Sequence, residues 1–191
     1  MANHLNFKRP EKKLTNHTDD TPRFNASDYR SKTFEEIKKD WRKACEYWKQ
    51  YPDRFIDFIS TSETKISLYF YQRVFLRIFF RYRRVFVTAT RGTAKSWTEI
   101  LAIYLQCMFF PNIYKFIVAP VKQQAAKIAQ ENIEKIWEYF PILKEEIEYQ
   151  SFTKDYTKIV FRNGSRFDVV QARDSERGGR KCMRHLLVII S

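Results

Sequence analysis

Glycine is scarce in this chain, with four residues in 191, and cysteine is scarcer still. The three cysteines, Cys45, Cys107 and Cys182, are odd in number and contain no C-x-x-C pair. That spacing favours free or buried thiols in a reducing cytosol over disulfides or a zinc site. No uninterrupted apolar run approaches the roughly 18 residues of a membrane span. The opening MANHLNFKRPEKK has no apolar signal core, so a cytosolic setting is expected. Internal repeats are absent, and low-complexity sequence is confined to a polar N-terminal arm. Acidic residues are also in deficit, at 22 against 35 Lys and Arg, for a net charge of +13. A polyanionic partner follows, nucleic acid first, because Lys and Arg gain affinity by displacing counterions from phosphates; a merely solvated basic surface is the alternative.

What is present is folding material. Hydrophobic residues make up 44% and aromatics 17% of the chain, enough for one domain with a sizeable core. Residues 1–30 read as a flexible polar arm and 31–62 as an N-terminal helical segment. Thr33 and Glu36 have capping-box spacing, with Phe34, Ile37, Trp41, Cys45 and Trp48 following at helical intervals as an inward stripe. Pro52 closes that element, and RFIDFI makes a shorter helix. ISLYFYQRVFLRIFFRY reads as a helix with Leu68, Val74, Phe75 and Phe79 inward, then Val85–Thr88 as a short β-run. SWTEILAIYLQCMFF is apolar nearly all round, as suits a helix buried on a sheet. KFIVA is a second buried strand. QQAAKIAQENIEKIWEYF is an amphipathic helix with Ile128, Ile136, Trp137 and Phe140 inward. YTKIVFRNGSRFDVV reads as one β-hairpin about Asn163-Gly164, and LLVII as a final buried strand. This order predicts an α/β fold with a mainly parallel sheet flanked by helices.

The stretch TATRGTAKSWTEI lies between the β-run and the apolar helix. Its tail matches the phosphate-loop pattern G-x-x-x-x-G-K-[ST] at Lys95 and Ser96, but Ala89 and Ala94 occupy the glycine positions. In a strand–loop–helix setting, loop amides and the first helical turn converge on an anion. Lys95 then reaches the β- and γ-phosphates of ATP, and the Ser96 hydroxyl reaches Mg²⁺. Alanine resists positive φ, so the loop 89–96 is expected to run through ordinary dihedrals, with Gly92 its one permissive point. Ala89, Thr90, Arg91, Gly92, Thr93, Ala94, Lys95 and Ser96 are thus the candidate nucleotide-binding residues. Arg91 can stabilise charge on the γ-phosphoryl oxygens. On the preceding helix, Gln72 in Tyr71-Gln72-Arg73 can pair its amide with the acceptor–donor edge of adenine.

Gln72, then R-G-x-A-K-S, then SERGGR before a terminal apolar strand, resembles the N-terminal ATPase domain of the large terminase subunit of tailed bacteriophages. The resemblance covers most of residues 34–191. It implies a P-loop NTPase domain over 63–191, with ATP and Mg²⁺ as cofactors and hydrolysis driving DNA into a procapsid. The amphipathic helix pair of 31–62, which needs a surface to pack against, is read as an N-terminal helical attachment to that domain. Arg91, Lys95 and Ser96 match the family's variant phosphate loop, and Gln72 its adenine-reading Gln. APVKQQAAKI resembles the second-strand segment that couples nucleotide state to DNA. In SERGGR, Arg177 or Arg180 could act as a trans finger on a neighbouring subunit's nucleotide, with Arg177 preferred, or the segment contacts DNA. Implied partners are double-stranded DNA, the portal protein, the small terminase subunit and further copies in a homo-oligomeric ring. No membrane is implied, and the setting is the bacterial host's cytoplasm, transiently at the portal.

LLVII matches the apolar part of a Walker B strand, which in that family leads into an Asp for Mg²⁺ and a Glu that activates water. Here Ser191 follows; either it replaces the Asp or the acidic pair lies beyond it. Both cases leave these residues short of the catalytic carboxylate, and the expectation is a domain truncated at that strand and weak in hydrolysis. Two other functions fit the same sequence. One is a different P-loop nucleic-acid translocase or helicase. The other is a basic nucleic-acid-binding remnant without enzyme activity.

Overall fold

The computed structural model describes residues 30–60, 66–82, 84–90, 92–119, 122–153, 156–171 and 185–188. The chain divides into two compact units, Met1–Tyr47 and Trp48–Ser191. Helix α1 (Phe34–Gln50) opens as the Thr33/Glu36 spacing predicts, in part: the Thr33 backbone N–H donates to the Glu36 carboxylate at 2.8 Å. The Thr33 hydroxyl donates to the same carboxylate at 3.0 Å and caps no amide. These bonds hold the Glu36 carboxyl below its ordinary pKa. The aromatic stripe is inward only at its end. Trp48 is buried, whereas Phe34 and Trp41 are 76% and 43% exposed, and Ala44 is buried in their stead.

Pro52 starts the next helix, α2 (Pro52–Ile59), at a first-turn position where its missing N–H costs nothing. Trp48 packs edge-on against Phe55, with ring centroids 5.1 Å apart, and Phe55 meets Phe109 at 5.0 Å. Helix α3 begins at Phe70, not Ile66, and runs to Arg81. It buries Gln72 and Leu76, one turn apart, while Val74, Phe75 and Phe79 are only half-buried. The face is set by ion pairs invisible to a hydrophobic pattern. Arg77 clamps the fully buried Asp53 with two bonds of 2.7 Å, and Arg73 clamps Asp57 at 2.6 and 2.7 Å.

The expected strand at Val85–Thr88 does not form. A strand exists only with a ladder partner, and Arg84–Thr90 pair with no strand among the described residues. Phe86 is 91% exposed. Arg84–Thr88 line a cavity of about 400 Å³ together with Phe75, Ile78, Phe79 and Tyr82.

Helix α4 (Lys95–Phe109) is the predicted buried helix, with Ile100 to Leu105 all inside. It leads to β1 (Tyr114–Ala119) and then α5 (Lys122–Tyr139), which buries Ala125, Ala129, Ile133 and Ile136 against the sheet. Ile136, Trp137 and Phe140 are inward as expected, and Ile128 is half-buried. After a 3₁₀ turn (Pro141–Glu146) come β2 (Ile147–Thr153), β3 (Tyr156–Phe161), β4 (Arg166–Gln171) and β5 (His185–Val188). The five strands form one sheet in the order β2-β3-β4-β1-β5. β4, β1 and β5 are parallel neighbours; β2, β3 and β4 are antiparallel neighbours. The fold is therefore mixed α/β, with a sheet that is half parallel by pairing and flanked by helices. The Asn163-Gly164 hairpin is formed, but β2 extends it into a three-stranded meander. Gly164 has φ +80°, and a Cβ there would run into the side-chain Oδ1 of Asn112. Asn163 donates its side-chain amide to the carbonyls of Cys107 and Met108, both at 2.8 Å. Those are orphan acceptors at the C-terminal end of α4.

Tyr104 and Lys115 are among the polar groups deep in this core. The Tyr104 hydroxyl donates to Leu143 O at 2.6 Å and accepts from Trp137 Nε1 at 3.1 Å, and burial raises its pKa. Lys115 on β1 is 2% exposed, and burial lowers its ammonium to about 8. No described helix is long and apolar enough to cross a membrane.

Candidate nucleotide-binding cavity

The loop ahead of α4 is shaped by two residues with positive φ. Gly92 has φ +86°, and Ala94, the N-cap of α4, has φ 49° and ψ 30°. Gly92 is therefore not the only left-handed point, contrary to expectation. The position that carries glycine in the standard phosphate-loop pattern adopts the glycine conformation here with alanine in place. Thr93 Oγ1 donates to Thr90 O at 3.0 Å, closing the turn, and Thr98 N–H and its hydroxyl both donate to Ala94 O at 3.0 Å.

Ala94 offers no side-chain acceptor to the helix start. The backbone N–H groups of Lys95, Ser96 and Trp97 accordingly have no hydrogen-bond partner among the described residues. Three orphan amides at the positive end of a 15-residue helix form an anion-favouring surface. They open on a cavity of about 720 Å³, within the range of small-molecule sites.

One wall comes from Ile66–Tyr69 and Gln72, ahead of and within the first turn of α3. The Tyr71 hydroxyl donates to Thr93 O at 3.2 Å and so ties this wall to the loop. Gln72 is buried at 5% exposure, and its Oε1 accepts the Tyr69 N–H at 2.9 Å. It thus serves as the helix's N-terminal cap with one end of its amide. Its Nε2 has no protein acceptor among the described residues and remains available as a donor at the cavity wall. Tyr69, 68% exposed, stacks parallel to Tyr71 at 5.8 Å and presents a flat face beside it. The floor is the loop itself, with Thr90, Gly92, Thr93, Ala94, Lys95 and Ser96.

A further part of the lining comes from α4 and α5 and has no motif in the sequence: Trp97, Asn132, Lys135 and Tyr139. Trp97 and Tyr139 meet edge-to-face at 6.4 Å, and Trp97 Nε1 is buried without a hydrogen-bond partner. One helical turn beyond Lys95, burial raises the Glu99 carboxyl to about 7, a shift that Lys95 partly offsets.

Of the sequence-derived candidates, Gln72, Thr90, Gly92, Thr93, Ala94, Lys95 and Ser96 converge on this one cavity. Ala89 is half-buried and stands outside its lining. Arg91, Arg177, Arg180 and Ser191 lie outside the described residues. No group of three or more His, Cys, Asp or Glu gathers among the described residues, and no carboxylate lines the cavity. Ser96 offers a hydroxyl to a phosphate-bound Mg²⁺, but the one or two carboxylates that usually accompany such an ion are not among the described residues of the lining. No family model matches the chain, and no curated protein matches it.

Proposed function

We propose that the chain binds Mg-ATP in this cavity and serves as the ATPase domain of a terminase-like DNA-packaging motor. The observation that carries the reading is the convergence of Lys95, Ser96, three uncapped amides and Gln72 on one cavity of nucleotide size. A triphosphate laid over the helix start gains from the orphan amides, and the Lys95 ammonium adds a point charge. The base is placed at the Tyr69–Gln72 wall, where Gln72 Nε2 can donate to a ring acceptor and the tyrosine face can stack. Bound Mg²⁺ would supply charge neutralisation at the phosphates, with Ser96 as its protein ligand. The motor role, the portal and small-subunit partners, the ring, the charge-stabilising role of Arg91 and the trans-finger role of Arg177 rest on the family resemblance. The charge of +13 independently supports a DNA partner.

The test is an equilibrium titration with Mg-ATP of the wild-type chain and Lys95→Ala. Saturable binding by the first, weakened at least tenfold in the second, is the expected result. Equal binding by both, or none by either, refutes the assignment. One observation favours a second reading: Arg84–Thr90, which lead into the loop, pair with no strand among the described residues. On that reading the chain is a basic nucleic-acid binder, and duplex DNA binds with steep salt dependence while Mg-ATP does not bind.

A further inference from the structure

Between Lys127 and Tyr139, helix α5 carries two side-chain pairs away from the cavity. Lys127 pairs with Glu131 at 3.8 Å, and Gln130 donates to Glu134 at 2.8 Å. Lys135 is different: it lines the cavity and has no carboxylate partner among the described residues. Asn132, one turn earlier, is held on the same wall by its bond to Ile128 O at 2.7 Å.

The order of the walls fixes what Lys135 meets. The Gln72 wall is joined to the loop at Thr93 through the Tyr71 hydroxyl, and the α5 wall is joined to the first turn of α4 through Trp97 and Tyr139. A nucleotide with its base at Gln72 runs its phosphates across the amides of residues 95–97, away from the base wall. Its anionic end then arrives at α5. An unpaired ammonium there meets a charge that a shorter nucleotide does not deliver.

Resting on the nucleotide reading above, we propose that Lys135 is a second phosphate-binding residue that recognises the terminal phosphate of a nucleoside triphosphate. It lines the same cavity as Lys95, from α5, and makes the site select triphosphate over diphosphate. Charge-assisted hydrogen bonds to phosphate are the strong ones, so one such contact is enough to shift the preference measurably.

The experiment is calorimetric titration of Mg-ATP and Mg-ADP into the wild-type chain, Lys135→Ala, Lys135→Arg, Lys127→Ala and Lys95→Ala. Lys135→Ala is expected to weaken ATP about tenfold and ADP less than threefold, lowering the ATP:ADP preference. Lys135→Arg retains the preference, and Lys127→Ala, at an exposed lysine turned to Glu131, behaves as wild type. Lys135→Gln, which keeps most of the stem, must repeat the alanine result, which separates lost charge from lost packing. If Lys95→Ala abolishes binding while both neutral variants keep the wild-type preference, Lys135 is overturned and the nucleotide site stands. If the wild type binds neither nucleotide, or Lys95→Ala binds as well as wild type, the nucleotide reading fails and this proposal with it.

Discussion

Ala94 and Gly92 offer a reciprocal experiment on backbone conformation. A left-handed conformation costs an L-residue with a Cβ about 1–2 kcal/mol, and glycine almost nothing. Ala94, at φ 49°, bears that cost, so Ala94→Gly removes it. Glycine returns about 0.5–1 kcal/mol of it through the greater entropy of the unfolded chain. The net expectation is a stabilisation of about 0.5–1 kcal/mol, or roughly 2 °C in melting temperature for a chain of this size. Gly92→Ala is the mirror case. A Cβ at Gly92 meets nothing within 4 Å, so packing contributes nothing and the φ of +86° alone decides the outcome. The expected loss is about 1 kcal/mol, near 3 °C. Thermal melts of the three proteins, followed by far-UV circular dichroism at one concentration, make the comparison. A lower melting temperature for Ala94→Gly, or a higher one for Gly92→Ala, refutes the left-handed assignment at that residue.

Two further predictions concern charge. Glu99 is raised in the folded state from 4.5 to about 7. The folded protein therefore holds that proton more tightly than the unfolded chain, and its stabilisation is full below pH 4.5 and lost as pH rises through 7. Urea melts from pH 5 to 8 should show stability declining with pH, and Glu99→Gln should flatten that decline; an identical slope in the variant disproves the assignment. Asp53→Ala leaves the Arg77 guanidinium without the carboxylate it holds at 2.7 Å, and takes away the Arg73 contact at 3.7 Å. Arg77 is partly exposed, so the cost falls below that of a fully buried pair, at about 2 kcal/mol, a drop of roughly 6 °C. A change under 1 °C would show that the pair does not hold α2 to α3.

Features governed by neighbours in sequence were the legible ones. Asn163-Gly164 marked the hairpin because the turn needs a residue tolerant of positive φ, and Gly164 has it. The apolar run from Trp97 to Phe109 marked a buried helix because no other placement hides so many large side chains. At Val85–Thr88 the β-branched composition supplies strand propensity but no ladder partner, so the expected strand does not form. β2 is the converse case: Ile147–Thr153 has little alternation, with residues 148–150 all exposed, yet β3 pairs with it. The buried face of α3 was displaced because Asp53 and Asp57, about 20 residues earlier, orient Arg77 and Arg73. In the cavity, the loop and Gln72 could be read from motif spacing. The α5 wall could not, because Asn132, Lys135 and Tyr139 look like any amphipathic helix until α4 and α5 pack. One cue was available: at positions 132, 135 and 139, polar and aromatic residues share one helical face.

The two amide bonds from Asn163 to the carbonyls of Cys107 and Met108 grip α4 at the end opposite Lys95. With 15 residues at about 1.5 Å each, this helix spans roughly 22 Å between that hairpin tip and the orphan amides. Its Lys95 end is tied in turn, by the Tyr71 hydroxyl to Thr93 O and by Trp97 against Tyr139, so α4 is a rod pinned at both ends that keeps the hairpin and the loop at a fixed separation.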